Sequence, residues 1–120
     1  MFLRYWVPVF AYVTLIFALS SIANLRPPIR TNYADKLAHL VEYAILGTLL
    51  ARAFRGSRAF PSAIACSLLA VITGFATGIA DELFQEHVPG RISSALDFVF
   101  DSVGVVLGQL LYALLARHDD

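Results

Sequence analysis

Charge is what this sequence has least of. Only 15% of its 120 residues are charged, nine basic against nine acidic, and the formal net charge is zero. Soluble domains carry about 25% charged residues, and a neutral balance leaves no basic surface to displace counterions from phosphates, which excludes nucleic acid as a partner. The single cysteine, Cys66, allows no intrachain disulfide; set among alanine, serine and leucine, it reads as a small buried or lipid-facing residue rather than a nucleophile. The sequence contains no HExxH, no pair of histidines at ligand spacing, no serine or cysteine nucleophile motif, no glycine-rich phosphate loop and no dinucleotide fingerprint. What it does contain is apolar: 58% hydrophobic residues and a mean hydropathy of +0.70. That is the composition of a membrane protein.

About 20 apolar residues in a helix cross a hydrocarbon core of about 30 Å. Four stretches meet that length, at about 5–23, 36–54, 62–83 and 94–115, so the expected fold is all-α, a polytopic bundle of four transmembrane helices forming one membrane domain over 1–120. The first opens on Tyr5 and Trp6, which suit an interfacial belt, with Pro8 in its first turn. A cleaved signal peptide is the competing reading, with Arg4 as the n-region and Ser21-Ile22-Ala23 as the cleavage site. The run is longer than an ordinary h-region and three further spans follow, so a retained anchor is expected. Pro27-Pro28 ends this helix, and Asp35 is placed to cap the second. Arg52, Arg55 and Arg58, with Gly56 and Ser57, read as a short basic loop.

The third and fourth spans carry the polar residues. From Gly78 to Gly108 the chain gathers Asp81, Glu82, Glu86, Asp97 and Asp101 with Gln85, His87 and Arg91 around Pro89-Gly90. Charges at a hydrocarbon layer cost several kcal/mol and are normally paired, wet or functional. Gly74, Gly78 and Glu82 stand at four-residue steps, and Asp97, Asp101, Gly104 and Gly108 form a second stripe after a serine cap at Ser93 or Ser94. Small residues at such spacing let helices approach closely, so these two spans are expected to pack on each other through glycine as a hairpin, holding their acids at one membrane surface. In the second span His39 shares one face with Lys36 and Tyr43 and an overlapping one with Asp35 and Glu42. Arginine and lysine divide five (Arg4, Arg52, Arg55, Arg58, Arg117) against four (Arg26, Arg30, Lys36, Arg91) between the two sides, which favours termini inside and the acidic end outside.

These residues resemble the VanZ-like family of small bacterial membrane proteins. The resemblance is carried by Asp35-Lys36-x-x-His39-x-x-x-Tyr43-x-x-x-Gly47, by Glu82-x-x-Gln85, by Pro89-Gly90-Arg91, and by Asp97 followed by Gly104. It implies a multi-pass protein of the cell envelope, in a family whose namesake is associated with resistance to the glycopeptide antibiotic teicoplanin. It implies no settled activity. One departure is Asp101-Ser102, where an asparagine is expected a few residues after Asp97.

The polar residues admit two readings. In the first, an external site binds and processes a lipid-linked or cell-wall-precursor group: His39 is the base, Glu82 and Asp97 are acids, Arg91 beside a helix N-terminus holds an anionic group, and Lys36, Tyr43, Gln85 and Asp101 complete the binding surface. His39, Glu82, Asp97 and Asp101 are also the candidate ligands of a divalent metal. In the second, the cluster is non-catalytic and stabilises helix packing, a homo-oligomer or a partner membrane protein. Transport of a small solute or ion is weaker, because the charges sit at one end and transporters need polar residues near the midplane.

Overall fold

The computed structural model describes residues 2–21, 32–58, 62–89 and 95–117, apart from the side chains of 32–35 and 117. They form four helices, α1 (Phe2–Ser20), α2 (Asn32–Gly56), α3 (Ala63–Glu86) and α4 (Ala95–Arg117), with no strand among the described residues. Each contains a stretch long and apolar enough to cross a membrane. The chain runs up and down: Tyr5 of α1, Arg55 of α2, Ser67 of α3 and Tyr112 of α4 meet at one end, while Ser20, Lys36, Gln85 and Asp97 gather at the other.

Boundary differences from the sequence reading matter at three places. Helix α1 starts at Phe2, which puts Pro8 in the second turn instead of the first. A proline there cannot donate to the carbonyl four residues back; that oxygen, of Arg4, lies 3.5 Å from Nη1 of Arg52. Helix α2 starts at Asn32, so Asp35 lies inside the helix rather than at its cap position. At its other end α2 continues through Arg52 and Arg55 to Gly56, so most of the expected basic loop is helix. The turn closes with Arg58 in the left-handed region at φ 54°. Helix α3 is capped by Ser62, whose Oγ accepts from the Ala65 N–H at 3.1 Å. The serine cap expected for α4, Ser93 or Ser94, lies outside the described residues.

Helices α2, α3 and α4 pack on one another, and α1 lies along α2 and α3 without touching α4 among the described residues. Ile16, Tyr43, Leu46, Leu50, Ala53, Ala70 and Val105 are wholly buried. Phe10, Val41, Ile72, Leu110 and many other large apolar side chains remain exposed. In water such a surface would be a liability; in a bilayer it is the lipid-facing surface. Three threonine hydroxyls within the spans are satisfied inside their own helices, Thr14 donating to Phe10 O, Thr48 to Ala44 O and Thr77 to Thr73 O.

The closest helix contact is not the expected one. A Cβ built on Gly104 would stand 2.5 Å from the carbonyl oxygen of Leu40, one on Gly108 would stand 2.5 Å from that of Ala44, and one on Gly47 would stand 2.5 Å from that of Val105. The glycines of α4 therefore face α2, backbone against backbone, and α3 takes the adjacent side. Alongside these glycines, hydrogen bonds cross the α2–α4 seam from Gln109 Nε2 to Gly47 O at 2.9 Å and from Thr48 Oγ1 to Gly108 O at 3.3 Å. The glycines of α3 meet side chains of α4 instead: Gly74 faces Val105, and Gly78 faces Phe98 and Asp101.

Candidate polar site

The tight seam brings the first turns of α2 and α4 together and so sets the polar end. Lys36 Nζ donates to Oδ1 of Asp97. One turn deeper, His39 Nδ1 lies 2.7 Å from Oδ1 of Asp101, and its Nε2 lies 4.0 Å from Oδ2 of Asp97. A further turn in, Tyr43 donates its hydroxyl to Oδ2 of Asp81 on α3 at 3.0 Å. Gln85 Nε2 reaches Ser20 Oγ of α1 at 3.3 Å, so all four helices contribute. The arrangement is a ladder: α2 offers a donor at each turn, Lys36, His39, Tyr43, and α3 and α4 answer with carboxylates.

Burial is close to complete. Asp81 and Asp97 are 2% exposed, Asp101 and Gln85 1%, and His39 8%. Glu82 is half-buried and lies within electrostatic range of Asp97, Asp101, His39 and Asp81. Carboxylates removed from water persist only where donors replace the lost hydration, and most of the ladder supplies them. Not every buried polar atom is matched. Oε1 of Glu82 and Oδ2 of Asp101 are buried with no hydrogen-bond partner among the described residues.

Of the residues singled out in the sequence, Lys36, His39, Tyr43, Asp97 and Asp101 meet in the ladder, Glu82 stands beside it, and Gln85 lies at the same end, bonded to α1. Arg91 lies outside the described residues. Asp81 was overlooked as a site residue although it anchors Tyr43. The signal for it was the buried row Cys66, Ala70, Gly74, Gly78, Asp81, Gln85 along α3. Glu86 and His87 point outward. The metal reading of His39, Glu82, Asp97 and Asp101 is not supported: among the described residues no three or more histidine, cysteine or acidic side chains are grouped to hold an ion. Lys36 supplies the cation at Asp97, and Oδ1 of Asp101 is turned to the imidazole.

The ladder makes a specific prediction for Tyr43. Tyr43→Phe keeps the ring in its wholly buried seat and removes only the donor to Asp81. Stripping one partner from a buried hydrogen bond costs about 1–3 kcal/mol, so the variant is expected to unfold several degrees lower in detergent with an unchanged helical spectrum. Circular dichroism against temperature checks it.

No curated protein and no solved structure matches the chain significantly. The VanZ/LLP1 family profile matches residues 3–116, a span that takes in every residue of the polar ladder from Lys36 to Asp101. A multi-pass membrane architecture and that match over almost the whole sequence agree with the resemblance carried by the His39, Glu82, Pro89 and Asp97 blocks, and the chain belongs to the VanZ/LLP1 family.

Proposed function

We propose that this end of the bundle faces the outside of the cell and binds a polar group of an envelope lipid or a lipid-linked cell-wall precursor. The supporting observation is the pair of leftover oxygens on Glu82 and Asp101. A plug serving only to hold helices together is complete when its donors and acceptors are matched, and a partly satisfied polar network in a low-dielectric interior is a cost that packing alone does not repay. The opposite end carries Arg4, Arg52, Arg55 and Arg58, the first two over the ring of Tyr5 and the third over that of Tyr112, rings that suit an interfacial belt, which favours that end for the cytoplasm. Arg91, next to Pro89-Gly90 in sequence, is retained in this reading as the group for an anionic moiety.

The pairing favours binding over turnover. Nδ1 of His39 is committed to Asp101, and Asp97 is held by Lys36; in this reading any base role of His39 would fall to Nε2, with Asp101 fixing the tautomer. The test is native mass spectrometry of the full chain extracted in mild detergent. The wild type is expected to retain an envelope lipid or lipid-linked precursor, and Glu82→Gln, Asp101→Asn to retain at least tenfold less. Equal retention by all three would remove the basis of this reading and leave a structural module.

A further inference from the structure

We infer that the group this site accepts is a primary ammonium, as in an ethanolamine head group or the free amino group of a precursor peptide. The inference rests on the binding reading above and names the chemistry of its ligand.

The two leftover atoms are both carboxylate oxygens, which accept hydrogen bonds and, when ionised, donate none. A phosphate presents only acceptors of like charge to them and is repelled. A neutral hydroxyl could donate to one, but would leave the repulsion between Glu82 and Asp101, which lie close enough to feel each other, uncancelled. A cation with N–H donors answers both needs through charge-assisted bonds. The donor set narrows the class further. Asp101 is 1% exposed and its Oδ1 is taken by His39, so its buried Oδ2 is the oxygen left to accept from a ligand. A guanidinium prefers to fork onto both oxygens of one carboxylate; a compact ammonium with three donors suits one oxygen from each of two residues. A quaternary ammonium carries no N–H and is recognised by the faces of aromatic rings, whereas Tyr43, the aromatic residue of the ladder, is wholly buried. A metal ion would need ligands that the described residues do not group.

The ladder itself supports the assignment. Lys36 already places an ammonium against Asp97 at the outer rung, so the site is built to hold that group in a neighbouring position.

The experiment measures unfolding temperature of the full chain in detergent, at constant ionic strength, with ethanolamine, tetramethylammonium, glycerol or inorganic phosphate added. A second arm compares nanodiscs of phosphatidylethanolamine with nanodiscs of phosphatidylglycerol. A ligand that binds only the folded state raises its stability in proportion to the logarithm of its concentration above the dissociation constant. Ethanolamine is expected to raise the midpoint by several degrees and the other three solutes by less than one degree. Glu82→Gln is expected to weaken the response at least tenfold, and Asp101→Asn to do the same. A rise in phosphatidylethanolamine nanodiscs without a response to free ethanolamine supports the inference and assigns the group to a lipid; a response to free ethanolamine alone supports it and assigns the group to a soluble or peptide amine. If phosphate or glycerol acts as strongly as ethanolamine through the same two carboxylates, binding stands and the ammonium assignment falls by itself. If no solute and neither lipid acts, and no lipid is retained in the mass spectrum, both fall.

Discussion

Replacing Gly104 with alanine is expected to destabilise the bundle by about 3 kcal/mol, the upper end of the cost of inserting one methyl into a packed interior. The added carbon would stand 2.5 Å from the Leu40 carbonyl oxygen, 3.0 Å from the Ala44 amide nitrogen and 3.1 Å from Cβ of Tyr43. Two of these are backbone atoms of α2, so relief requires the helices to separate rather than a side chain to rotate. Separation would stretch the Gln109 and Thr48 bonds across the seam and pull Lys36 and His39 from their carboxylates. The effect should therefore reach the polar end, weakening any ligand response along with the fold. Gly78→Ala is the control. Its Cβ would meet ring carbons of Phe98 at 3.3 and 3.4 Å and Cβ of Asp101 at 3.5 Å, a fit that a small ring movement accommodates. Replacing a mid-helix glycine by alanine also gains up to about 1 kcal/mol of propensity. Gly78→Ala is thus expected to be near neutral, and the two variants, unfolded side by side in detergent, should differ by roughly 3 kcal/mol. Equal stability would show that the α2–α4 seam is looser than described.

The contrast between those glycines marks what the sequence reveals of this fold. Asp97, Asp101, Gly104 and Gly108 do lie on one buried face of α4, as their spacing indicates. Periodicity identifies a face but not its neighbour, and here the neighbour is the backbone of α2, whose carbonyls have no side-chain signature. The same limit explains Asp81. Steps of four residues advance a helix by about 400°, so each one drifts about 40° past a full turn. From Gly74 through Gly78 the drift carries Glu82 to about 80° off the starting line, while Asp81 and Gln85 stay within about 20° of it. Glu82 is accordingly half-buried, Glu86 is exposed, and Asp81 and Gln85 are buried. The four spans were legible because hydropathy and length decide them. The pairing of Lys36 with Asp97 and of His39 with Asp101 joins residues 61 and 62 positions apart, and depends on how α2 and α4 align.

Lys36→Met should be the most damaging single change at the polar end. The Asp97 side chain is 3% exposed and that of Lys36 14%, so the pair is largely withdrawn from water, and the ammonium is the charge nearest the carboxylate. Methionine keeps the length and most of the apolar stem, leaving packing nearly unchanged while the charge disappears. Breaking a buried pair from one side costs about 3–5 kcal/mol, because the remaining charge has lost its compensation. His39 Nε2, 4.0 Å from Oδ2 of Asp97, is too distant to replace the ammonium without giving up Asp101. The decisive measurement is the double variant. Replacing a whole buried pair by apolar residues of similar volume is often neutral or stabilising, so Lys36→Met with Asp97→Leu should recover most of the lost stability, and chemical unfolding in detergent should show a coupling of about 2 kcal/mol or more between the sites. Additive losses would mean that Lys36 and Asp97 act separately. Recovery of stability without recovery of lipid retention would show that the charges of this rung serve the proposed binding in addition to holding α2 to α4.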